Sequence, residues 1–219
     1  MYLETVVFFN ISGRACRVLL IEILFYGRGG QGGVTAANIL VLAATKEGLY
    51  GQGFPFFGAE RRGAPVKAFA RISDKPIRRH GMFNDADVLV VMHPGLITEG
   101  FTKTVGVNDK GIIIVNTYDK SIVKEDKFKL YGKAKVYVVD AVGIAKRNNL
   151  VVAGWPVVNT SMLGSLSKAL GIISIENMAL AVKEYFGGNI GELNAKVVRE
   201  AYNETIYLGE IGSKGRRLW

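Results

Sequence analysis

Apolar residues in this chain occur either as short solid runs or at helical spacing, and the two patterns alternate. The run at 20–26 (LIEILFY) ends in a glycine-rich turn over 27–33. Beyond it, Val34, Ala37, Leu40, Val41 and Ala44 recur every three or four residues, which predicts a helix over 34–47. Residues 53–65 (GFPFFGAERRGAP) are aromatic and rich in glycine and proline, which predicts a loop. Residues 66–72 (VKAFARI) alternate in the manner of a half-exposed strand. Three further runs, at 88–92, 112–115 and 136–139, read as strands covered on both faces. The last third is helically spaced over 160–170, 175–186 and 191 to about 207, with Ser174 and Asn177 marking the second start. Strands separated by helical stretches predict an α/β chain, a three-layer α/β/α sandwich with a mixed, mostly parallel sheet.

The 219 residues suit one domain over 21–209, preceded by an extension over 1–20 and followed by a basic tail over 210–219. Residues 1–20 read as an extra strand or as an extension from an upstream start. Their apolar pieces are broken by Asn10, Ser12, Gly13, Arg14 and Arg17, and the first charge is Glu4, so they do not make a secretory leader. No apolar run approaches the ~20 residues that span a bilayer. A cytoplasmic protein with no membrane association is expected. The single Cys16 excludes a disulfide framework and a cysteine-held cluster within the chain, and with only His80 and His93 no metal site is expected. The net charge of +9 is concentrated: residues 60–79 hold seven basic side chains (Arg61, Arg62, Lys67, Arg71, Lys75, Arg78, Arg79) against Glu60 and Asp74. Such a cluster favours an anionic partner.

The candidate chemistry lies in two places. Gly27, Arg28, Gly29, Gly30, Gln31 and Gly32 fit GxGxxG between a strand and a helix, where backbone can approach a phosphate and the helix N-terminus offers free N–H groups. The same glycines also suit a tight structural turn. The acid that would hold a dinucleotide ribose about 20 residues on is missing, and Gly33 stands where a P-loop needs lysine. The second place is the loop carrying Phe56, Glu60, Arg61 and Arg62, expected to contact an anion or a subunit. No catalytic residue is expected: Ser161, His93 and Asp87 lack the framing of a triad, His93 reads as a strand-end cap, and Asn159 with Thr160 reads as a helix start. Two other classes remain open on residues alone. One is a self-contained NAD(P)-binding Rossmann-type oxidoreductase. The other is a nucleic-acid module built on 60–79.

The segments IEILFYGRGGQGGVTAANIL (21–40), FPFFGAERRGAPVKAFARI (54–72), KPIR (75–78), DVLVVM with HPGL (87–96), GIIIVNT (111–117) and WPVVNTSMLGSLSKALG (155–171) closely resemble the gamma subunit of 2-oxoacid:ferredoxin oxidoreductases. The form of the 54–66 loop resembles the pyruvate branch, which is sometimes shared with the ketoisovalerate enzyme. The resemblance implies a subunit of an enzyme that converts pyruvate, coenzyme A and oxidised ferredoxin to acetyl-CoA, carbon dioxide and reduced ferredoxin. It implies alpha, beta and delta-type partner subunits that hold thiamine diphosphate, Mg2+ and the iron–sulfur clusters, with no cofactor bound by this chain alone. Ferredoxin is then reached through the complex, nucleic acid is not a partner, and a homodimer of the isolated chain stays open. The same resemblance implies a role for 27–32 in accommodating coenzyme A, with Arg28 as phosphate contact and Arg61 and Arg62 as anion or interface residues.

Overall fold

The computed structural model describes residues 6–9, 15–55, 63–152 and 154–212. In chain order the elements are β1 (Val6–Phe9), β2 (Ala15–Val18), β3 (Leu20–Arg28), α1 (Gly33–Lys46), β4 (Tyr50–Pro55), β5 (Pro65–Ser73), β6 (Asp85–Val91), α2 (Gly95–Thr98), β7 (Gly106–Asn116), β8 (Lys129–Leu130), β9 (Ala134–Val139), α3 (Ala141–Arg147), β10 (Val151–Val152), β11 (Trp155–Pro156), α4 (Asn159–Leu170), α5 (Ile175–Phe186), α6 (Gly188–Glu204) and β12 (Ile206–Ile211). β1 and β2 pair with each other, as do β10 and β11. The main sheet runs β12-β9-β7-β6-β3-β5-β4, with β8 beside the start of β7. Its centre, β9, β7, β6 and β3, is parallel, while β12, β5 and β4 join antiparallel. The α/β class and the mixed, mostly parallel sheet are as the hydrophobic pattern predicts.

Period-two alternation divides each central strand between two cores. Ile21, Ile23 and Phe25 of β3 face α1, α4, α5 and α6, while Leu24 and Tyr26 face the opposite side. That opposite layer is thin. It is made by α2, short 3-10 turns and the side chains of Phe54, Phe83, Phe101, Ile122 and Val123. Alanines let α1 lie close to the sheet, with Ala36, Ala37, Ala43 and Ala44 all buried. Its Val41 Cα comes 3.0 Å from where a Cβ on Gly51 would stand. α4 is buried over most of its length, and Gly164 receives the Val198 carbonyl of α6.

Four local expectations change. Residues 50–55 form the edge strand β4, because Gly51 and Gly53 are glycines of close approach to α1 rather than of a loop. β5 is interior, with 68–73 buried, and not half-exposed. The last helix ends at Glu204, and Tyr207 packs at a tilt against Tyr137 from the following strand. That strand continues to Ile211, so residues 210 and 211 belong to the sheet and not to a tail.

Candidate functional site

β3 and β6 run side by side in parallel, with Tyr26 opposite Val91 near their carboxyl ends. From those ends the chain leaves in opposite directions. After β3 it turns into α1, on the Ile23 and Phe25 face; after β6 it turns through His93 and Pro94 into α2, on the Leu24 and Tyr26 face. In open α/β sheets this reversal opens a crevice outside the strand ends, where ligands bind. The glycine turn forms one wall of that crevice and the turn at His93 forms the other.

Gln31 closes the glycine turn. Its N–H donates to the Arg28 carbonyl at 3.1 Å, its Oε1 accepts from the Arg28 N–H at 2.8 Å, and its Nε2 donates to the Met92 carbonyl at 3.4 Å. The Gly29 N–H donates to the Ala64 carbonyl at 3.0 Å. Gly27 leaves room for Gln31, since a Cβ there would stand 3.2 Å from Gln31 Oε1. Gly30 and Gly32 have φ of 94° and 76°, left-handed values that a side chain makes costly. Gly32 caps α1 with no side-chain hydrogen bond, and the first turn holds no acid. The first N–H groups of this helix therefore lack intrahelical acceptors, and no acidic residue in the first turn neutralises their partial positive charge. Those are the elements of an anion site.

Arg28, expected as a phosphate contact, lies between the two turns with its guanidinium already partnered. Nη1 donates to the Gly63 carbonyl at 2.9 Å, Nη2 forms an ion pair with Glu99, and Nε faces His93 Nδ1 at 3.5 Å. His93 Nδ1 also accepts the Gly95 N–H at 3.0 Å, which makes this histidine the strand-end cap that the sequence predicts. Burial lowers its pKa below the ordinary 6.5, the Arg28 charge lowers it further, and Glu99 opposes both. A neutral imidazole with an accepting Nδ1 results. Arg28 thus braces one wall of the crevice against the other. Glu99, its partner, was missed; the only signal was its place in the turn after the second switch-point strand.

Phe56, Glu60, Arg61 and Arg62 lie outside the described residues. The rest of the basic cluster does not form one patch. Arg71 is buried, ion-paired with Glu22 at 2.8 Å, and flanked by the rings of Phe54 and Phe83 at 5.4 and 5.1 Å. Lys67 is half-buried over Tyr26, while Arg78 and Arg79 are exposed. A ribose-holding acid is missing as the sequence indicates. β4 carries none, and Glu47 is engaged at the start of α5, where the Ser174 N–H and hydroxyl lower its pKa. Ser161, His93 and Asp87 do not meet. Asp87 accepts from the Glu22 N–H and from Asn108 within β6, and His93 lies beyond the other end of that strand. Among the described residues no group of three or more His, Cys, Asp or Glu could hold a metal ion, and no helix is long and apolar enough to cross a membrane.

A model of the family described as pyruvate ferredoxin/flavodoxin oxidoreductase matches residues 22–204. The chain belongs to that family. Among its members it is similar to the pyruvate/ketoisovalerate oxidoreductases common subunit gamma of Thermococcus kodakarensis, with 51% identity over 85% of this chain and 98% of that protein. It is 46% identical to the pyruvate synthase subunit PorC of Methanothermobacter thermautotrophicus, over 84% of this chain and 96% of that protein. A crystal structure of the pyruvate oxidoreductase subunit PORC from Thermotoga maritima superposes with a TM-score of 0.71 at 33% identity, covering 86% of this chain and 98% of that one. These are whole-subunit matches, and the chain is a gamma-type subunit of the family. Neither the dinucleotide-dehydrogenase nor the nucleic-acid reading finds support.

Proposed function

We propose that this gamma subunit serves the oxidative decarboxylation of pyruvate by holding coenzyme A at the glycine turn and by packing against the catalytic subunits. One observation carries the coenzyme A assignment: an uncapped helix N-terminus, opened by two left-handed glycines, stands at the switch-point crevice of the sheet. Coenzyme A brings a diphosphate and a 3′-phosphate, and those N–H groups suit such oxygens. Arg28, already paired with Glu99, acts here through the walls of the crevice, and Arg61 and Arg62 supply anion or interface contacts. The relatives named for pyruvate, and for pyruvate with ketoisovalerate, support pyruvate as the first substrate.

The remaining chemistry is assigned to partners. Thiamine diphosphate with Mg2+ and the iron–sulfur clusters sit in alpha, beta and delta-type subunits, since one cysteine cannot supply the thiolates of a cluster. Ferredoxin receives its electrons from that complex, in the cytoplasm. The residues ahead of β3 are an addition to the domain. The test is reconstitution. Complexes assembled with and without this chain are assayed for pyruvate- and coenzyme A-dependent ferredoxin reduction, and the chain is used as bait for its partners. Activity that requires the chain supports the proposal. An isolated chain that binds NAD and recruits no thiamine-dependent subunit overturns it.

A further inference from the structure

Asn159 begins α4 directly against the glycine turn, and the amide of this little-exposed residue is half used. The residue is 3% exposed. Its Oδ1 accepts the Thr160 N–H at 2.9 Å, and the Thr160 hydroxyl stands 3.2 Å from the same oxygen. That hydroxyl is itself fixed by Asn194 of α6, 2.7 Å away, whose Nδ2 donates to the Ile190 carbonyl. With Oδ1 turned toward its own helix, Nδ2 is aimed at Gly32; a Cβ on Gly32 would meet it at 2.6 Å. Among the described residues Nδ2 has no acceptor. Among the described residues the fully buried side-chain atoms without a partner are Asp85 Oδ1 and Ser161 Oγ, so Nδ2, open and without an acceptor, is free to meet a ligand. Here the donor is held at the mouth of a helix whose N-cap offers no side-chain acceptor to its first N–H groups.

We propose that Asn159 Nδ2 is a ligand-binding donor, which hydrogen-bonds a diphosphate oxygen seated over Gly32 beside the first turn of α1. The inference rests on the reading of this crevice as the coenzyme A site, and it assigns a second element, the start of α4, to recognition of the anion. It also explains why position 32 is glycine beyond its backbone angle, since any side chain would displace the donor.

Asn159→Asp keeps the Oδ1 acceptor and the shape while replacing the donor with a carboxylate oxygen. Gly30→Asp places a carboxylate on the exposed turn, where a Cβ meets nothing within 4 Å, and Gly30→Asn, with the same left-handed strain and no charge, is its reference. All are measured in the assembled enzyme for KM of coenzyme A, KM of pyruvate, activation by thiamine diphosphate, and kcat. Asn159→Asp is expected to raise KM for coenzyme A about tenfold or more, the scale of a lost hydrogen bond to a charged group. The pyruvate and thiamine diphosphate constants should hold. Asn159→Ser, with a shorter donor, should fall between. If Gly30→Asp raises this KM above that of Gly30→Asn and Asn159→Asp does not, the amide is structural and the inference fails while the coenzyme A reading stands. If neither moves it, the coenzyme A reading fails as well. A shift in thiamine diphosphate activation instead overturns coenzyme A as the source of the phosphate.

Discussion

Arg71 belongs by sequence to the basic cluster, and the fold removes it from the surface. Its side chain is 4% exposed and that of its partner Glu22 16%, with the Arg71 Nε–Glu22 Oε1 distance at 2.8 Å and a second contact to Gln52 at 3.2 Å. Arg71→Met keeps the apolar stem between Phe54 and Phe83 but strands the Glu22 carboxylate among buried side chains. Removing one partner of a buried pair costs about 3–5 kcal/mol. For a chain of this size that lowers Tm by roughly 6–20 °C. Arg71→Met combined with Glu22→Leu removes both charges and should recover to within about 1 kcal/mol of the parent, a coupling of roughly 3 kcal/mol. Urea unfolding of the four proteins measures it. Arg71 pairs in the sheet with Glu22, six residues before Arg28 and about 20 Å along the strand from the crevice. The folded Arg71→Met enzyme should therefore keep the parental KM for coenzyme A. A single variant that loses less than about 1 kcal/mol, or a double variant no better than the single, would refute the buried-pair account.

Other consequences follow from single contacts. Gly164→Ala would place a Cβ 2.1 Å from the Val198 carbonyl oxygen and 3.1 Å from the Tyr202 N, both backbone. Even with helix propensity gained, α4 and α6 must separate; a loss of about 1–3 kcal/mol is expected, read as a Tm lower by several degrees, and an unchanged Tm would contradict the close crossing. His93 has its pKa lowered by burial and by Arg28. Above the ordinary value of 6.5 the imidazole is neutral both folded and unfolded, and its contribution is complete. As pH falls below that value the unfolded chain takes up the proton first, so stability declines with acidification. Tm measured between pH 7.5 and 5 should fall more steeply for the parent than for His93→Gln, and parallel curves would show that the histidine is not the cause.

The sequence made the scaffold legible because its strands are solid apolar runs and its helices are regularly spaced; 175–186 is a helix with those limits. It failed where one residue type serves two purposes. Gly53 reads as a loop signal, yet with Gly51 it lets β4 lie against Val41. Residues 206–211 follow a long helix with no strong breaker, and only pairing with β9 makes them a strand. The glycine turn was legible as a phosphate-suited motif. The Arg28–Glu99 pair and the Gly32–Asn159 approach were not, since each joins residues 71 and 127 positions apart through the folding of separate strands and helices. Arg71 leaves the basic cluster for the same reason: charge counted along the chain does not say which side chains a sheet will bury.

The central claim is that the turn at 27–32 holds coenzyme A by its anionic groups, and the most direct measurement is the affinity of the assembled enzyme for coenzyme A by calorimetry. Like charges about 6 Å apart in a largely solvated site repel by roughly 1–2 kcal/mol, the size expected for a carboxylate at Gly30 against a bound diphosphate. The parent should bind with an affinity that weakens as salt rises, and Gly30→Asp should raise Kd about tenfold over the uncharged Gly30→Asn at low salt, with a smaller difference at high salt. Equal Kd values for the two variants across the salt series would contradict the claim.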